Sequence, residues 1–271
     1  MVKNKNILIT GLGGSIGSEL TRQLAKHNRI FGLDNNETSL FDLCEELQLK
    51  GQWVYGRVGD VRDMETVHDV FSDFKPDIVI HAAALKHVKP NESYPIEAIQ
   101  TNVLGTYNVL HQAKNFKVKQ FIFISTDKVV NANSVMGQTK KLGETMVRNA
   151  GYTAVRFGNV MNSRGSVLPF WAEQVKRGDP ITITDKRMKR YFMSIPEACS
   201  LVIQAMKIGK GGETIVLDMG ELKNILDVKE SLYPKYPVRY IGIRPGETLD
   251  EKLMTQEEEL TAKKQGRFYI I

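Results

Sequence analysis

The sequence predicts an α/β fold, a doubly wound parallel sheet followed by a smaller C-terminal lobe. Three observations carry the prediction. Apolar strand-like runs alternate with amphipathic helix-like runs through the first 160 residues. The fourth strand-like run, residues 76–82, is almost continuously apolar, as a strand covered on both faces must be. The first strand runs directly into a glycine-rich turn that opens a helix.

Each element follows from its own pattern. Residues 6–10 form a short apolar strand, and 15–26 a helix whose Ile16, Leu20 and Leu24 recur at helical spacing. A second strand, 29–33, is closed by Asp34, and helix 38–49 and strand 52–56 follow. Helix 63–74 starts near Asp63, and strand 76–82 leads into a long helix over 95–115. Strand 120–125, helix 134–149 and strand 153–157 complete the alternation, which right-handed crossovers turn into a parallel sheet. After Gly158 the pattern loosens, and Pro169, Pro180, Pro196, Pro234, Pro237 and Pro245 punctuate shorter elements. The expected division is therefore 1–160 and 161–271, the second part packed on the first and not cleanly separable from it. There is no internal repeat and no low-complexity segment.

Composition excludes several classes. A chain of 271 residues buries a sizeable core as one or two domains, and 42% hydrophobic with 25% charged residues is an ordinary globular balance. Lys+Arg 37 against Asp+Glu 31 leaves +6, spread along the chain and not gathered in a tail, so nucleic acid is not the expected partner. Cys44 and Cys199 form no Cys-x-x-Cys pattern, which argues against disulfides and thiolate zinc and for a reducing compartment. No metal site is expected. The longest apolar run, residues 78–85, is broken by His81 and falls far short of the ~20 residues that span a bilayer. The first six residues lead straight into a strand and leave no room for a signal peptide. A cytoplasmic protein without a membrane partner is the expectation.

The glycine turn reads Thr10-Gly11-Leu12-Gly13-Gly14-Ser15-Ile16-Gly17, a Gly-x-x-Gly-x-x-Gly pattern on positions 11, 14 and 17. Glycine is needed where the chain turns sharply and brings backbone N–H groups against a pyrophosphate at a helix N-terminus. Asp34 then stands where a carboxylate accepts from the adenosine ribose hydroxyls and repels a 2′-phosphate, favouring NAD over NADP. The pattern is that of a Rossmann-type dinucleotide site. Asp60 and Val61 follow the third strand, where an aspartate can meet the adenine amino group. Ala82, Ala83 and Ala84 end the fourth strand, where small residues let a cofactor lie on the sheet edge or let helix and sheet pack closely. Asn102, inside the long helix, says little by itself.

Several stretches together resemble the extended short-chain dehydrogenase/reductase superfamily. The nearer likeness is to the nucleotide-sugar 4,6-dehydratases of the polysaccharide-biosynthesis group that act on UDP-N-acetylglucosamine. The stretches are His81-Ala82-Ala83-Ala84-Leu85-Lys86-His87-Val88, Thr101-Asn102-Val103-Leu104-Gly105-Thr106, Ser125-Thr126-Asp127-Lys128 and Val135-Met136-Gly137-x-x-Lys140. Others are Arg156-Phe157-Gly158-Asn159-Val160, Ser163-Arg164-Gly165-Ser166-Val167, Arg190-Tyr191-Phe192-Met193, Leu217-Asp218-Met219-Gly220 and Ile243-Arg244-Pro245-Gly246-Glu247. With the glycine turn they run from residue 7 to about 255. Some relatives carry an N-terminal membrane region and an extra nucleotide-binding domain. This sequence begins at the glycine turn, so the resemblance points to the short soluble form.

The resemblance implies an internal redox elimination on a nucleotide sugar, in which a tightly bound NAD(P) is regenerated each turnover. Hydride leaves C4, the C5 proton and C6 hydroxyl are lost as water, and hydride returns to C6. Lys140, four residues after Met136 on one helix face, would hold the nicotinamide ribose and so binds cofactor together with Gly11, Gly13, Gly14, Ser15, Ile16, Gly17, Asp34, Asp60, Val61, Ala82, Ala83, Ala84 and Asn102. Met136 replaces the superfamily's tyrosine and has no proton to exchange. The resemblance therefore moves proton chemistry to Thr126 at the C4 oxygen, Asp127 as acid at C6 and Lys128 as base at C5. Asp127 and a relayed water are both open as acceptors of the C4 proton.

The 161–271 lobe would read the UDP-sugar. Asn159, Arg164, Val167, Arg190 and Arg244 are expected at the nucleotide and phosphates, Glu247 at the ribose, and Lys86 and His87 at the sugar. The tail 255–271 resembles inverting members, so C5 epimerisation is expected, and a homo-oligomer is expected by resemblance alone. A 4-epimerase or ketoreductase on the same fold, and a non-catalytic NAD(P)-binding sensor, remain as alternatives. The missing tyrosine counts against the first two, and Asp127, Lys128 and Lys140 together count against the third.

Overall fold

Strand β1 (Asn6–Thr10) alternates its side chains between two cores: Ile7 and Ile9 join one buried cluster, and Leu8 the other. That alternation sets the layering of the whole molecule, whose computed structural model describes residues 2–271. The chain continues through α1 (Ser15–Leu24), β2 (Arg29–Asp34), α2 (Glu37–Gln48), β3 (Val54–Val58), α3 (Met64–Phe74) and β4 (Ile78–His81). Two short helices, α4 (Val88–Ser93) and α5 (Pro95–Ala98), precede wider π-helical turns over Ile99–Gly105 and then α6 (Thr106–Asn115). Next come β5 (Gln120–Ile124), a 3₁₀ turn Asp127–Val129, α7 (Val135–Asn149) and β6 (Thr153–Arg156).

Beyond this half lie β7 (Asn159–Val160), α8 (Val167–Arg177), β8 (Ile181–Ile183), β9 (Lys189–Arg190), β10 (Phe192–Met193) and α9 (Ile195–Ile208). The chain ends with β11 (Thr214–Leu217), β12 (Lys223–Asn224), α10 (Ile225–Leu232), β13 (Val238–Tyr240), α11 (Gln256–Thr261), β14 (Lys263–Gln265) and β15 (Phe268–Ile270). The main sheet has the order β3-β2-β1-β4-β5-β6-β11-β15-β14. It is parallel from β3 to β11, and β15 and β14 pair antiparallel.

Helices α1, α2 and α9 cover one face through Leu20, Leu24, Leu40, Leu43, Leu47, Leu201 and Val202. Helices α3, α6 and α7 cover the other through Val67, Phe71, Val109 and Val147. The doubly wound parallel sheet is thus as the alternation predicts. Two local differences have physical causes. The long helix expected over 95–115 widens at Ile99–Gly105, which lets the Asn102 amide turn inward. The boundary at 160 is not a boundary of the sheet. Strands β11, β14 and β15 extend it, and α9 packs on α1, because the apolar face of β6 and α1 would otherwise be open. What stands apart from both is a small core of Leu168, Trp171, Ile181, Ile183, Met188 and Ile225, built largely by α8, β8 and α10.

Candidate active site

The glycine turn forms as its residues require. Gly11 sits at φ +70°, and a Cβ there would lie 2.7 Å from the Ala83 nitrogen, so only glycine lets the turn approach the end of β4. A Cβ on Gly17 would lie 2.1 Å from the Gly11 carbonyl oxygen. The turn leaves a cradle at the N-terminus of α1, and Gly14 N-caps that helix without any side-chain cap. Backbone donors without an intrahelical partner at a helix start, where the glycines place no Cβ, fit a dinucleotide pyrophosphate. Asp34 Oδ2 accepts from the Gly13 N–H at 2.8 Å and Oδ1 from the Asn36 N–H at 2.8 Å. Its carboxylate is held at the cradle's rim with lone pairs to spare.

His81 ties the strands beneath this cradle. Thr106 Oγ1 donates to the Asn102 carbonyl at 2.7 Å, so it accepts from His81 Nε2–H at 3.0 Å. The bare Nδ1 then accepts from Thr10 Oγ1 at 2.6 Å. Burial, with the charge of Lys140, pushes the imidazole down to about 3, so it is a neutral strut.

At the carboxyl end of β5, Thr126, Asp127 and Lys128 converge. Lys128 Nζ donates to Asp127 Oδ1 at 2.9 Å, to Glu251 Oε1 at 2.9 Å and to Asn159 Oδ1 at 3.2 Å. Thr126 Oγ1 also donates to Asp127 Oδ1, at 2.9 Å. Asp127 Oδ2 is buried with no hydrogen-bond partner and faces Gly158, where a Cβ would lie 3.0 Å away. Burial raises the Asp127 carboxyl to about 6 against the pull of Lys128, and the Glu251 charge adds to the rise. Burial acts to lower Lys128, but Asp127 and Glu251 outweigh it and hold the ammonium above the usual lysine range.

Lys140, on α7, is buried. Its Nζ donates to the Ile124 carbonyl at 2.6 Å and lies 3.9 Å from the centroid of the Phe123 ring. Burial lowers it to about 7, partly offset by Glu144. Met136, one turn earlier, is 2% exposed, so its thioether is buried at the start of α7.

The other expected site residues make contacts that the sequence alone does not show. Asn102 does not face open space: its amide bridges the Leu85 N–H and carbonyl at 2.8 and 3.0 Å and donates to Thr139 Oγ1 at 3.1 Å. It braces the loop after β4. Asn159 turns from the nucleotide to Lys128, and donates to Glu251 Oε2 at 2.7 Å. Arg190, expected at a phosphate, pairs with Glu251 at 3.1 Å and donates to the Thr248 and Leu249 carbonyls, each at 2.8 Å. Buried carbonyls and a carboxylate claim its donors first.

Arg164 crosses to the glycine turn. Its backbone N–H donates to Ser15 Oγ at 3.0 Å, its guanidinium to Ser39 Oγ at 2.9 Å and to the Gly13 carbonyl. Lys86 Nζ donates to the Arg164 carbonyl at 2.7 Å, and His87 lies beside Gly165. The 163–165 segment thus spans the cradle from α2 to the loop after β4. Asp60 is salt-bridged to Arg62 at 2.8 Å, beside buried Val61. Val167 begins α8, and Glu247 accepts from the Arg244 N–H at 3.2 Å in a turn whose Gly246 packs against Ser134. Ala82, Ala83 and Ala84 are half-buried at the cradle floor, and Ile16 is packed below it.

The sequence reading missed Glu251, whose only local signal is its place four residues past Glu247. It also missed the buried network behind the site, in which Arg156 pairs with Glu144 at 2.5 Å and Glu258 at 2.7 Å while Ser125 Oγ donates to Glu144 at 2.5 Å. Among the described residues no cluster of His, Cys, Asp and Glu suits a metal ion, and no helix is long and apolar enough to cross a membrane.

The family model described as "Polysaccharide biosynthesis protein" matches residues 7–271. Capsular polysaccharide biosynthesis protein CapD of Staphylococcus aureus is 42% identical over 94% of this chain, which spans 46% of that relative's length. A UDP-glucose 4-epimerase of Rickettsia prowazekii is 36% identical over 100% of this chain and 84% of its own. The X-ray structure of Pen from Bacillus thuringiensis superposes with a TM-score of 0.91 at 35% identity, covering 99% of this chain and 88% of that one.

Proposed function

The chain belongs to the polysaccharide biosynthesis protein family, and from that premise we propose that it is a nucleotide-sugar 4,6-dehydratase. Its substrate is UDP-N-acetylglucosamine and its product a UDP-2-acetamido-2,6-dideoxy-4-hexulose. The observation that carries the reading is the Asp127–Lys128 pair, a raised buried carboxyl in contact with a lysine amine, at the sheet edge where the glycine cradle opens. An elimination needs an acid for the leaving hydroxyl and a base for the neighbouring C–H, and this pair offers both.

NAD(P), when bound, supplies a hydride acceptor that returns the hydride to the sugar. Gly11, Gly14 and Gly17 present the backbone to its pyrophosphate, and Asp34 at the rim favours NAD over NADP. Lys140 stands behind the site as the ribose-holding cation. Thr126, whose Oγ1 donates to Asp127 and accepts from the Lys128 N–H at 3.4 Å, keeps one lone pair for the C4 hydroxyl. The C4 proton leaves to water as the ketone forms. Lys128 takes the C5 proton, and Asp127 protonates the C6 oxygen, which departs as water with its bonding pair. Lys128 then returns a proton to C5, where a bound dinucleotide would supply the hydride to C6. The proton released at C4 is matched by the one that the Asp127–Lys128 pair, short by the proton lost to the C6 oxygen, regains from water. Delivery of the C5 proton to the opposite face would invert C5, as the resemblance of the tail to inverting members suggests.

The likeness to the Rickettsia UDP-glucose 4-epimerase supports a second reading, UDP-sugar 4-epimerisation. The test separates them: the protein is incubated with UDP-N-acetylglucosamine and with UDP-glucose in deuterated water, without added reductant. Loss of one water with deuterium at C5 establishes the dehydratase, and ring couplings read inversion or retention. A C4 epimer of unchanged mass establishes the epimerase. Self-association belongs to the same proposal. Exposed Tyr94, Ile96, Ile99 and Tyr107 on one segment support it, and light scattering tests it.

A further inference from the structure

We infer that Glu251 is a positioning residue for Lys128, holding the amine with Asn159 by two hydrogen bonds so that its third position is exchanged between Asp127 and the substrate carbon. The inference deepens the dehydratase reading and rests on it for the identity of that carbon.

The Lys128 ammonium has three donors and three acceptors: Asp127 Oδ1 at 2.9 Å, Glu251 Oε1 at 2.9 Å and Asn159 Oδ1 at 3.2 Å. A base needs a lone pair, so one of the three contacts must yield its proton. Asn159 cannot take it, because its amide nitrogen donates to Glu251 Oε2 at 2.7 Å and so fixes the carbonyl oxygen toward the lysine. Glu251 is poorly suited, because it already accepts from Asn159 and from Arg190 Nε at 3.1 Å. Arg190 is itself fastened to the Thr248 and Leu249 carbonyls. Asp127 is left, with an unpartnered buried oxygen.

The proton passes from Nζ to Asp127, leaving two donors on Glu251 and Asn159 and a lone pair on nitrogen. That lone pair takes the C5 proton, and the C–H electron pair becomes the C5–C6 π bond. The proton on Asp127 leaves with the C6 oxygen, which carries away its bonding pair as water. The pair returns to carboxylate and ammonium. Asp127, Lys128, Glu251 and Arg190 carry two charges of each sign, so the buried cluster is neutral overall. The other titratable group facing it is the Tyr191 phenol, raised by burial and then by Asp127 and nearby acidic groups.

The test uses the full chain with ¹³C-carboxyl aspartate. Glu251→Gln keeps an acceptor but removes the charge, so the Asp127 titration midpoint falls by about one pH unit. Arg190→Gln removes the opposing cation and moves that midpoint up. In turnover of UDP-N-acetylglucosamine, Glu251→Gln shifts both limbs of the pH profile to lower pH. Glu251→Ala lowers kcat about 100-fold with KM little changed, since orientation is lost and substrate contacts are not. An Asp127 midpoint unmoved by Glu251→Gln overturns the inference whatever the catalytic result. If the wild type dehydrates nothing but the midpoints move as stated, the positioning of Lys128 stands and the dehydratase reading falls.

Discussion

Asp127 and Lys128 are adjacent in the chain, yet their side chains meet at 2.9 Å, because the 3₁₀ turn after β5 curls both toward Gly158 and Asn159. Neighbours in an extended strand would point to opposite faces. The turn therefore makes one acid–base unit of two residues, and its pH dependence belongs to the pair.

Turnover is expected to rise with pH through about 6, where the Asp127 carboxylate forms and can receive the lysine's proton. It persists beyond the usual lysine range, because Lys128 is held above it. Asp127→Asn and Lys128→Ala each lower kcat by on the order of 10²–10⁴ while bound dinucleotide is retained. A kcat–pH profile and absorbance of the purified variants check this. Full activity in either variant would sink the assignment.

Lys140 costs stability where it stands. Its folded value of about 7 lies below the unfolded 10.5, so below pH 7 the folded protein bears the full cost of a buried charge. The cost is relieved as pH rises from 7 toward 10.5. Lys140→Met therefore stabilises the ligand-free protein by on the order of 4 kcal/mol near pH 7 and by much less near pH 10. Urea unfolding of both proteins across that range reads the convergence. The same variant loses retention of the dinucleotide.

Gly17→Ala places a methyl 2.1 Å from the Gly11 oxygen and 2.9 Å from Leu12 Cα. Backbone cannot yield as a flexible side chain would, so α1 shifts off the turn. The expected result is a destabilisation of about 1–3 kcal/mol and at least a tenfold weaker hold on NADH. Thermal melting and fluorescence titration measure the two effects.

Arg164 separates two readings of one residue. As a phosphate contact its loss would raise the KM for the UDP-sugar. As the bridge across the cradle seen here, Arg164→Ala speeds dinucleotide release about tenfold and leaves that KM within about threefold, as the loss of two side-chain hydrogen bonds suggests. Stopped-flow release of NADH, set beside steady-state kinetics, decides between them.

Breaking the buried Arg156 network should be costly. Arg156→Met leaves Glu144 and Glu258 without their cation and destabilises the protein by about 3–5 kcal/mol, read by urea unfolding. The double variant Arg156→Met with Glu144→Gln recovers part of that loss, because one unpaired buried charge is gone.

What the sequence determined by itself is local. The glycine turn, the alternation of strands and helices, the helix starts near Asp63 and at residue 134 and the Thr126-Asp127-Lys128 strand end were legible, because each is written in residues a few positions apart. What the tertiary structure decided is which distant donor meets which acceptor. Arg164 reads as a phosphate ligand until folding sets it on the turn around Gly13, and Arg190 reads the same until Glu251 and two carbonyls claim it. Glu251, four residues past Glu247, shows no other local signal and becomes visible as a site residue only beside Lys128. Charges pair by proximity in space, and when partners lie a hundred residues apart, proximity is a property of the packed sheet and its lobe.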